Sequence, residues 1–524
     1  MINVFRIVAF SFLYALSFSS SASELSLASV FTDHMVIQQH QNISVWGKAE
    51  PGSNVEVSFA DQKNAVKADD AGEWLVQIKV GSGSFDATQL SVTSKKEQIT
   101  IDDILIGDVW LVSGQSNMRM SLEETYSASL PEFARERTHV RLLDYTLDKY
   151  SPSERTFSID SLRNLTSENL FNTEGWQVSS PRTNATFSAV GLHFMNRLDS
   201  ELSVPIGIMN VSVGGALTEN FISSELMTNI HQRLGLVDYN KEKWIDFIAP
   251  WCAQRARDNL KAWLQHNPQE PLPHHPYEPG FIYEAGVEPL TKLPIKGVVW
   301  YQGESNAPVN GKESDYKGVF DLELSAAKLK ALIFSWRDAW NDSEMPFYIV
   351  QLPGLNRPWA PYRHMQQKVA NEIRNVSYIV TYDIGEPTNV HPKNKSQVGE
   401  RLANMALNRT YGIEQVSIGP AIPSVERAGS VVRVHIDKFE LRFGRQPEGF
   451  EVAEENGVFF PAKALVESDW LAVSSSKVSK PKLIRYAWFD DPKLRANIVD
   501  ESGWPLPPFR KEVKLISLPK IKEG

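Results

Sequence analysis

A chain of 524 residues is too long for one hydrophobic core and long enough for two or three domains. Its 42% hydrophobic and 22% charged residues are ordinary for a soluble globular protein. A net charge of −9, with no Lys/Arg-rich run against it, excludes a nucleic-acid surface.

Residues 1–23 read as a secretory leader. Arg6 supplies the charge, Ile7 to Phe18 a short apolar stretch, and Ser20-Ser21-Ala22 a small-residue cleavage site near Ala22. That stretch is too short to span a bilayer comfortably, and no other segment approaches about 20 apolar residues. Cys252 stands alone, so no intrachain disulfide forms. A periplasmic or secreted bacterial protein without membrane insertion is the expectation.

Residues 24–104 have the pattern of a small β-sandwich. Asn42–Trp46, Asn54–Phe59 and Trp74–Ile78 alternate apolar and polar residues between turn clusters such as Glu50-Pro51-Gly52-Ser53. Between 105 and 412 strands alternate with helical stretches. The strands are the run ending at Val112, then Pro205–Val211, Gly297–Tyr301, Phe347–Leu352 and Ser377–Tyr382. Val190–Leu202, Leu322–Trp340 and Met365–Ile373 read as helices. This order predicts an α/β domain, a parallel sheet with helices on both faces. A segment near 223–285 breaks the rhythm, and its Pro/His/Tyr-rich part, Pro271–Tyr277, reads as an irregular insertion. From 413 to 524 β patterning returns, as in Ser430–Ile436 and Leu483–Phe489, predicting a second β-rich domain.

Two segments share one form. Val109–Val112 runs into Ser113-Gly114-Gln115-Ser116-Asn117, and Val298–Tyr301 runs into Gln302-Gly303-Glu304-Ser305-Asn306. A serine just past the end of a buried strand faces the crevice where open α/β sheets bind ligands, so Ser116 and Ser305 are both candidate nucleophiles. Neither motif has the second glycine of a G-x-S-x-G elbow. Gly214-Gly215 follows another strand and could present a backbone N–H to an oxyanion. A serine nucleophile needs a base. His391, in a loop after the last sheet strand, has the most suggestive setting among eleven histidines. No metal-ligand spacing is present, since His274-His275 lacks an accompanying acidic or Cys cluster.

The set Gly114-Gln115-Ser116-Asn117-Met118, Trp300-Tyr301-Gln302-Gly303-Glu304-Ser305-Asn306-Ala307 and His391-Pro392-Lys393-Asn394-Lys395 resembles the sialate O-acetylesterase family, within the SGNH hydrolases. Asp33–Gln38 and Arg485–Trp488 carry the likeness toward both ends. The resemblance implies an SGNH-like catalytic domain flanked by β-rich domains, no cofactor, and removal of O-acetyl groups from sugars. It implies Ser116 as nucleophile and His391 as base. The oxyanion hole would combine the N–H groups of Ser116 and Gly215 with Asn306, leaving Ser305 a structural turn residue. The acid that SGNH enzymes commonly carry three residues before the histidine is absent: Thr388 stands there, with Asn389 beside it. Two arrangements remain open, a carboxylate such as Asp383 or Glu386 reaching His391, or a Ser-His dyad. An acetylesterase of plant or algal polysaccharide (acetylated xylan or xyloglucan) and a non-catalytic glycan-binding relative are the alternative functions. The sequence does not specify an oligomeric state.

Overall fold

The computed structural model describes residues 25–147, 150–153, 156–235, 241–267, 269–468 and 470–515. The expected leader therefore lies outside the described residues. The chain divides into two compact units: one holds Ser44–Ile78 and Leu90–Thr100, the other Ser29–Ile43, Lys79–Gln89 and everything from Ile101 onward.

The smaller unit is all-β. Asn54–Phe59 pairs antiparallel with Gln62–Lys67 and buries Val55, Val57 and Phe59 while the intervening residues face outward. Strict two-residue alternation of this kind needs one wet face and one covered face.

The larger unit is a mixed α/β structure around a large sheet. Its strands are β1 (Glu97–Gly114), β2 (Arg137–Tyr145), β3 (Trp176–Ser179), β4 (Ile206–Ser212), β5 (Gly297–Tyr301), β6 (Phe347–Val350) and β7 (Val376–Ile379). They lie in the order β3-β2-β4-β1-β5-β6-β7. All pair in parallel except β3, which is antiparallel to β2. Burial on both faces removes any need for polar alternation, which is why Val109–Val112 reads as one apolar run. Fully burying a side chain of this size contributes roughly 1.5–3 kcal/mol.

Four helices matter to the site: α1 (Ala189–Asp199), α2 (Leu322–Ala339), α3 (Ala360–Glu372) and α4 (Ser396–Arg409). Ser188 caps α1 by accepting from the Gly191 N–H at 3.1 Å, and Asp321 caps α2 through Leu324 at 2.9 Å. Phe194 and Leu198 of α1 and Leu402 and Ala406 of α4 pack with Trp110, Val112 and Val299 on one face of the sheet. On the other face Trp336 of α2 meets Trp300 edge-on at 6.0 Å.

Strand β1 sits between β4 and β5, with Gly114 opposite both Ser212 and Tyr301. The chain leaves β1 toward β2, returns through β4, and then crosses to β5 on the far side of β1. The carboxyl end of β1 is therefore the topological switch point, where such sheets open a crevice. Gly114 ends the strand at φ +139°, and a Cβ there would lie 2.0 Å from the Tyr301 carbonyl oxygen. Only glycine fits.

Two features differ from the sequence reading. Strand β2 was not anticipated, because His139, Arg141 and Asp144 interrupt its pattern; Arg141 is buried against Asp103 at 2.9 Å, and Asn210 donates to Asp144 at 2.7 Å. The segment near 223–285 is irregular only in part, since Ser224–Arg233, Pro250–Asn259 and Lys261–His266 are helical. Beyond the core, Ser424–Ala428, Val431–His435, Leu471–Ser474 and Lys463–Val466 form part of one further sheet, and Phe450–Ala453 pairs with Leu483–Tyr486 in another. No helix among the described residues is long and apolar enough to cross a membrane.

Candidate active site

The turn after β1 places Ser116 at the start of the short helical turn Ser116–Arg119. Its hydroxyl oxygen lies 2.7 Å from His391 Nε2, a hydrogen-bond distance. Both residues face a cavity of about 680 Å³, together with Gln115, Gly214, Gly215, Glu304 and Ser305. The structure thus joins two residues 275 positions apart in sequence.

Gly215 also faces the cavity. It adopts φ +75°, and an added Cβ would lie 2.1 Å from the Tyr277 hydroxyl and 2.9 Å from the Trp251 ring. Tyr277 in turn donates to the Gly214 carbonyl at 3.0 Å. Among the described residues neither the Ser116 N–H nor the Gly215 N–H donates to a backbone carbonyl. Two such donors beside a serine hydroxyl are what a developing oxyanion requires.

Ser305 is differently engaged. Its hydroxyl donates to the Gly215 carbonyl at 3.0 Å and its N–H to Gln115 Oε1 at 3.1 Å, so it ties the three strand-end turns together. Asn306 is set behind the wall and does not line the cavity. Its Nδ2 donates to Glu219 at 2.8 Å, while its Oδ1 accepts from the Thr218 N–H at 3.0 Å and from Gln302 at 2.6 Å. Glu219 is itself paired with Lys328 of α2 at 2.7 Å, both side chains 2% exposed. Sequence reasoning did not single out Gln115. Its Oε1 is pinned by Ser305, and its Nε2 has no partner among the described residues. Its position before the serine was the available signal.

The candidate carboxylates do not reach the base. Asp383 binds Arg401 through both oxygens at 2.7 Å and Arg442 at 2.8 Å. Burial alone would raise its pKa, but the two guanidiniums outweigh it and hold it below the usual carboxylate range. Glu386 accepts from the Lys393 N–H and from Asn389, each at 3.0 Å. Among the described residues no Asp or Glu forms a hydrogen bond or ion pair with the His391 ring. Burial lowers the His391 pKa, Lys395 and Arg357 lower it further, and Glu124 across the cleft opposes them.

Three guanidiniums complete the cavity wall: Arg119, Arg255 and Arg357. Arg119 lies 3.6 Å from Asp144. Arg255 donates to the Pro152 carbonyl at 3.3 Å, and neither it nor Arg357 has an ion-pair partner within 4 Å among the described residues. Trp251, Arg255 and Tyr277 all come from the segment that breaks the strand-helix rhythm.

A serine hydroxyl against an imidazole, beside unpaired backbone N–H groups at a switch point, is the arrangement a serine hydrolase uses. Comparison with known proteins agrees and goes further. Residues 256–408 match the family described as carbohydrate esterase, sialic acid-specific acetylesterase. The chain is 26% identical over 445 residues to the mouse sialate O-acetylesterase, covering 77% of each chain. It is 25% identical over 539 residues to the human one, covering 92% of this chain and 91% of that protein. Among solved structures, a carbohydrate acetylesterase from Xanthomonas citri superposes with a TM-score of 0.72 at 27% identity, over 93% of this chain and 99% of that one. The chain is similar to the sialate O-acetylesterases along nearly its whole length.

Proposed function

We propose that this protein hydrolyses O-acetyl esters on sugar hydroxyls, with Ser116 as nucleophile and His391 as general base. The 2.7 Å contact between Ser116 Oγ and His391 Nε2, at the floor of a cavity of sugar size, carries the reading. His391 Nε2 takes the hydroxyl proton as Ser116 Oγ attacks the acetyl carbonyl carbon. The N–H groups of Ser116 and Gly215 receive the oxyanion. Collapse of the tetrahedral intermediate breaks the ester C–O bond, and the departing sugar oxygen takes the proton from His391. Water, deprotonated by the same ring, then releases acetate and restores Ser116. Asn306, with its Nδ2 turned to Glu219, acts in this reading by holding Thr218 and Gln302 in place. The Gln115 amide, which lines the cavity, is the better-placed third donor.

The substrate is an O-acetylated sugar. The arginines on the cavity wall favour one bearing a carboxylate, as sialic acid does, because a guanidinium matches a carboxylate in a bidentate pair. The neutral plant polysaccharides are the second reading. The chain is proposed to work as an SGNH-type catalytic domain, residues 105–412, with β-rich flanks, after export directed by its first 23 residues.

Ser116→Ala should lower kcat on 4-nitrophenyl acetate on the order of 10⁴–10⁶-fold; near-wild-type turnover would remove Ser116 from the mechanism. Acetate release from 9-O-acetylated sialic acid, measured beside acetylated xylan and xyloglucan, assigns the substrate. Faster release from either polysaccharide would favour the neutral reading.

A further inference from the structure

A base with no carboxylate on its ring still has to be held in one place. For His391 the bonds that do this run through the backbone. The Val390 carbonyl, one residue before the base, accepts from Asn117 Nδ2 at 2.9 Å. Asn389 braces the other side, accepting from the His391 N–H at 3.0 Å and donating to the His391 carbonyl at 2.9 Å.

Asn117 directly follows Ser116, so one buried amide joins the nucleophile's turn to the loop of its base. Its own orientation is fixed from two directions. Oδ1 accepts from Lys395 Nζ at 2.6 Å, and Nδ2 donates also to Glu304 Oε1. An amide offers two donor hydrogens and one acceptor oxygen, and all are used here. Flipping it would turn its NH2 group on the Lys395 ammonium and its oxygen on a carboxylate and a carbonyl. Asn117, Glu304 and Lys395 come one from each of the three sequence motifs, and Val390 directly precedes the third.

The surroundings are costly to build. Asn117 and Lys395 are fully buried and Glu304 is 3% exposed. Burial pushes Lys395 down to about 7 and raises Glu304. The Lys395 ammonium also lies 5.4 Å from the centre of the Tyr301 ring. Buried ionisable groups of this kind persist only where paired and hydrogen-bonded.

We propose that Asn117, locked by Lys395 and Glu304, is a positioning residue that fixes the His391 loop against Ser116 and takes over the orienting task of the absent triad acid. The proposal rests on Ser116 and His391 being the reacting pair.

The charges around the base add a second readout. His391 faces Lys395 and Arg357, which disfavour the imidazolium, and Glu124, which favours it. Lys395 in turn faces Glu304 and Glu386. Removing the Lys395 charge should therefore raise the pH at which His391 becomes a competent base, an effect that a loss of stability alone would not produce.

The test uses the full-length chain with 4-nitrophenyl acetate. Asn117→Ala should lower kcat on the order of 10²-fold, the cost of misplacing a reacting group by about 1 Å, with KM within about threefold of wild type. Lys395→Met should move the acid limb of kcat/KM upward by roughly half a pH unit or more, and Lys395→Arg should restore it toward wild type. Asn117→Ala retaining more than about a third of wild-type kcat would overturn the clamp. So would a Lys395→Met enzyme that melts lower but keeps its pH profile. If Asn117→Ala does not fold, Asn117→Ser is judged by the same limits. A fully active Ser116→Ala enzyme would instead overturn the reacting pair itself; an inactive one beside an active Asn117→Ala enzyme overturns only the clamp.

Discussion

Replacing Lys328 by Met tests how the wall behind the Ser116 cavity is supported. Lys328 and Glu219 are each 2% exposed and 2.7 Å apart, and Glu219 also holds Asn306. Methionine fills much of the lysine volume but leaves the Glu219 carboxylate buried without its cation. Breaking a buried pair in this way costs about 3–5 kcal/mol, whereas replacing both partners by neutral groups is often close to neutral. In a chain of several units the all-or-none treatment does not apply, so the readout is the melting midpoint of the activity-bearing transition. A drop of roughly 5–10 °C is expected, with Lys328→Met/Glu219→Gln recovering at least half of it. The pH dependence follows from Glu219. Burial pushes its pKa up, but Lys328 and Asn306 outweigh that and the net shift is downward. Its stabilising contribution is therefore present above the unfolded carboxylate pKa of about 4.3 and is lost as pH falls through the lower folded value. A Lys328→Met protein melting within about 2 °C of wild type, or a double variant less stable than the single one, would refute the reasoning.

Because burial, Lys395 and Arg357 lower the His391 pKa, the acid limb of kcat/KM should fall below the ordinary imidazole value of about 6.5, read from a pH profile between 4 and 8. Glu124→Gln should move that limb lower still, since Glu124 favours the imidazolium; an upward shift would contradict the charge assignment. Gly215→Ala should cost on the order of 10²-fold or more in kcat, because the new Cβ meets Tyr277 at 2.1 Å and the N–H must turn away from the oxyanion. Asp383→Asn should lower the melting midpoint measurably, through loss of charge on Arg401 and Arg442, while leaving the acid limb in place; a shifted limb would make Asp383 a partner of His391.

Much of the α/β core could be read from the chain because its strands are covered on both faces and so appear as unbroken apolar runs. Gly297–Tyr301 is such a run and is found with those bounds. Strand β2 escaped because its charged side chains find partners far away in sequence, Arg141 the Asp103 carboxylate and Asp144 the Asn210 amide, which no local pattern reveals. The same distinction holds at the site. Ser116 announces itself by a strand-end glycine, whereas the proximity of His391 to it depends on a loop crossing 275 positions. The family resemblance preferred Ser116 to Ser305, and the hydrogen bonds of Ser305 to Gly215 and Gln115 give that preference a physical basis. The position of Asn306 was invisible in sequence, because Gly-Glu-Ser-Asn spacing says nothing about the Glu219–Lys328 pair that draws its amide away from the cavity.

The segment that interrupts the strand-helix rhythm contributes Trp251, Arg255 and Tyr277 to the cavity, while Ser116, Gly215 and His391 come from the ends of sheet strands and from the loop after the last one. In the proposed function, bond-breaking and ligand choice would thus be written in separate stretches of the chain. Under the proposed function, substitutions at Arg255 are expected to retune which sugar is accepted without disturbing the Ser116–His391 contact. Tyr277 and Trp251 also border the Gly214-Gly215 turn, Tyr277 by donating to the Gly214 carbonyl and Trp251 by packing at Gly215, so a substitution at either is expected to affect turnover as well as ligand choice.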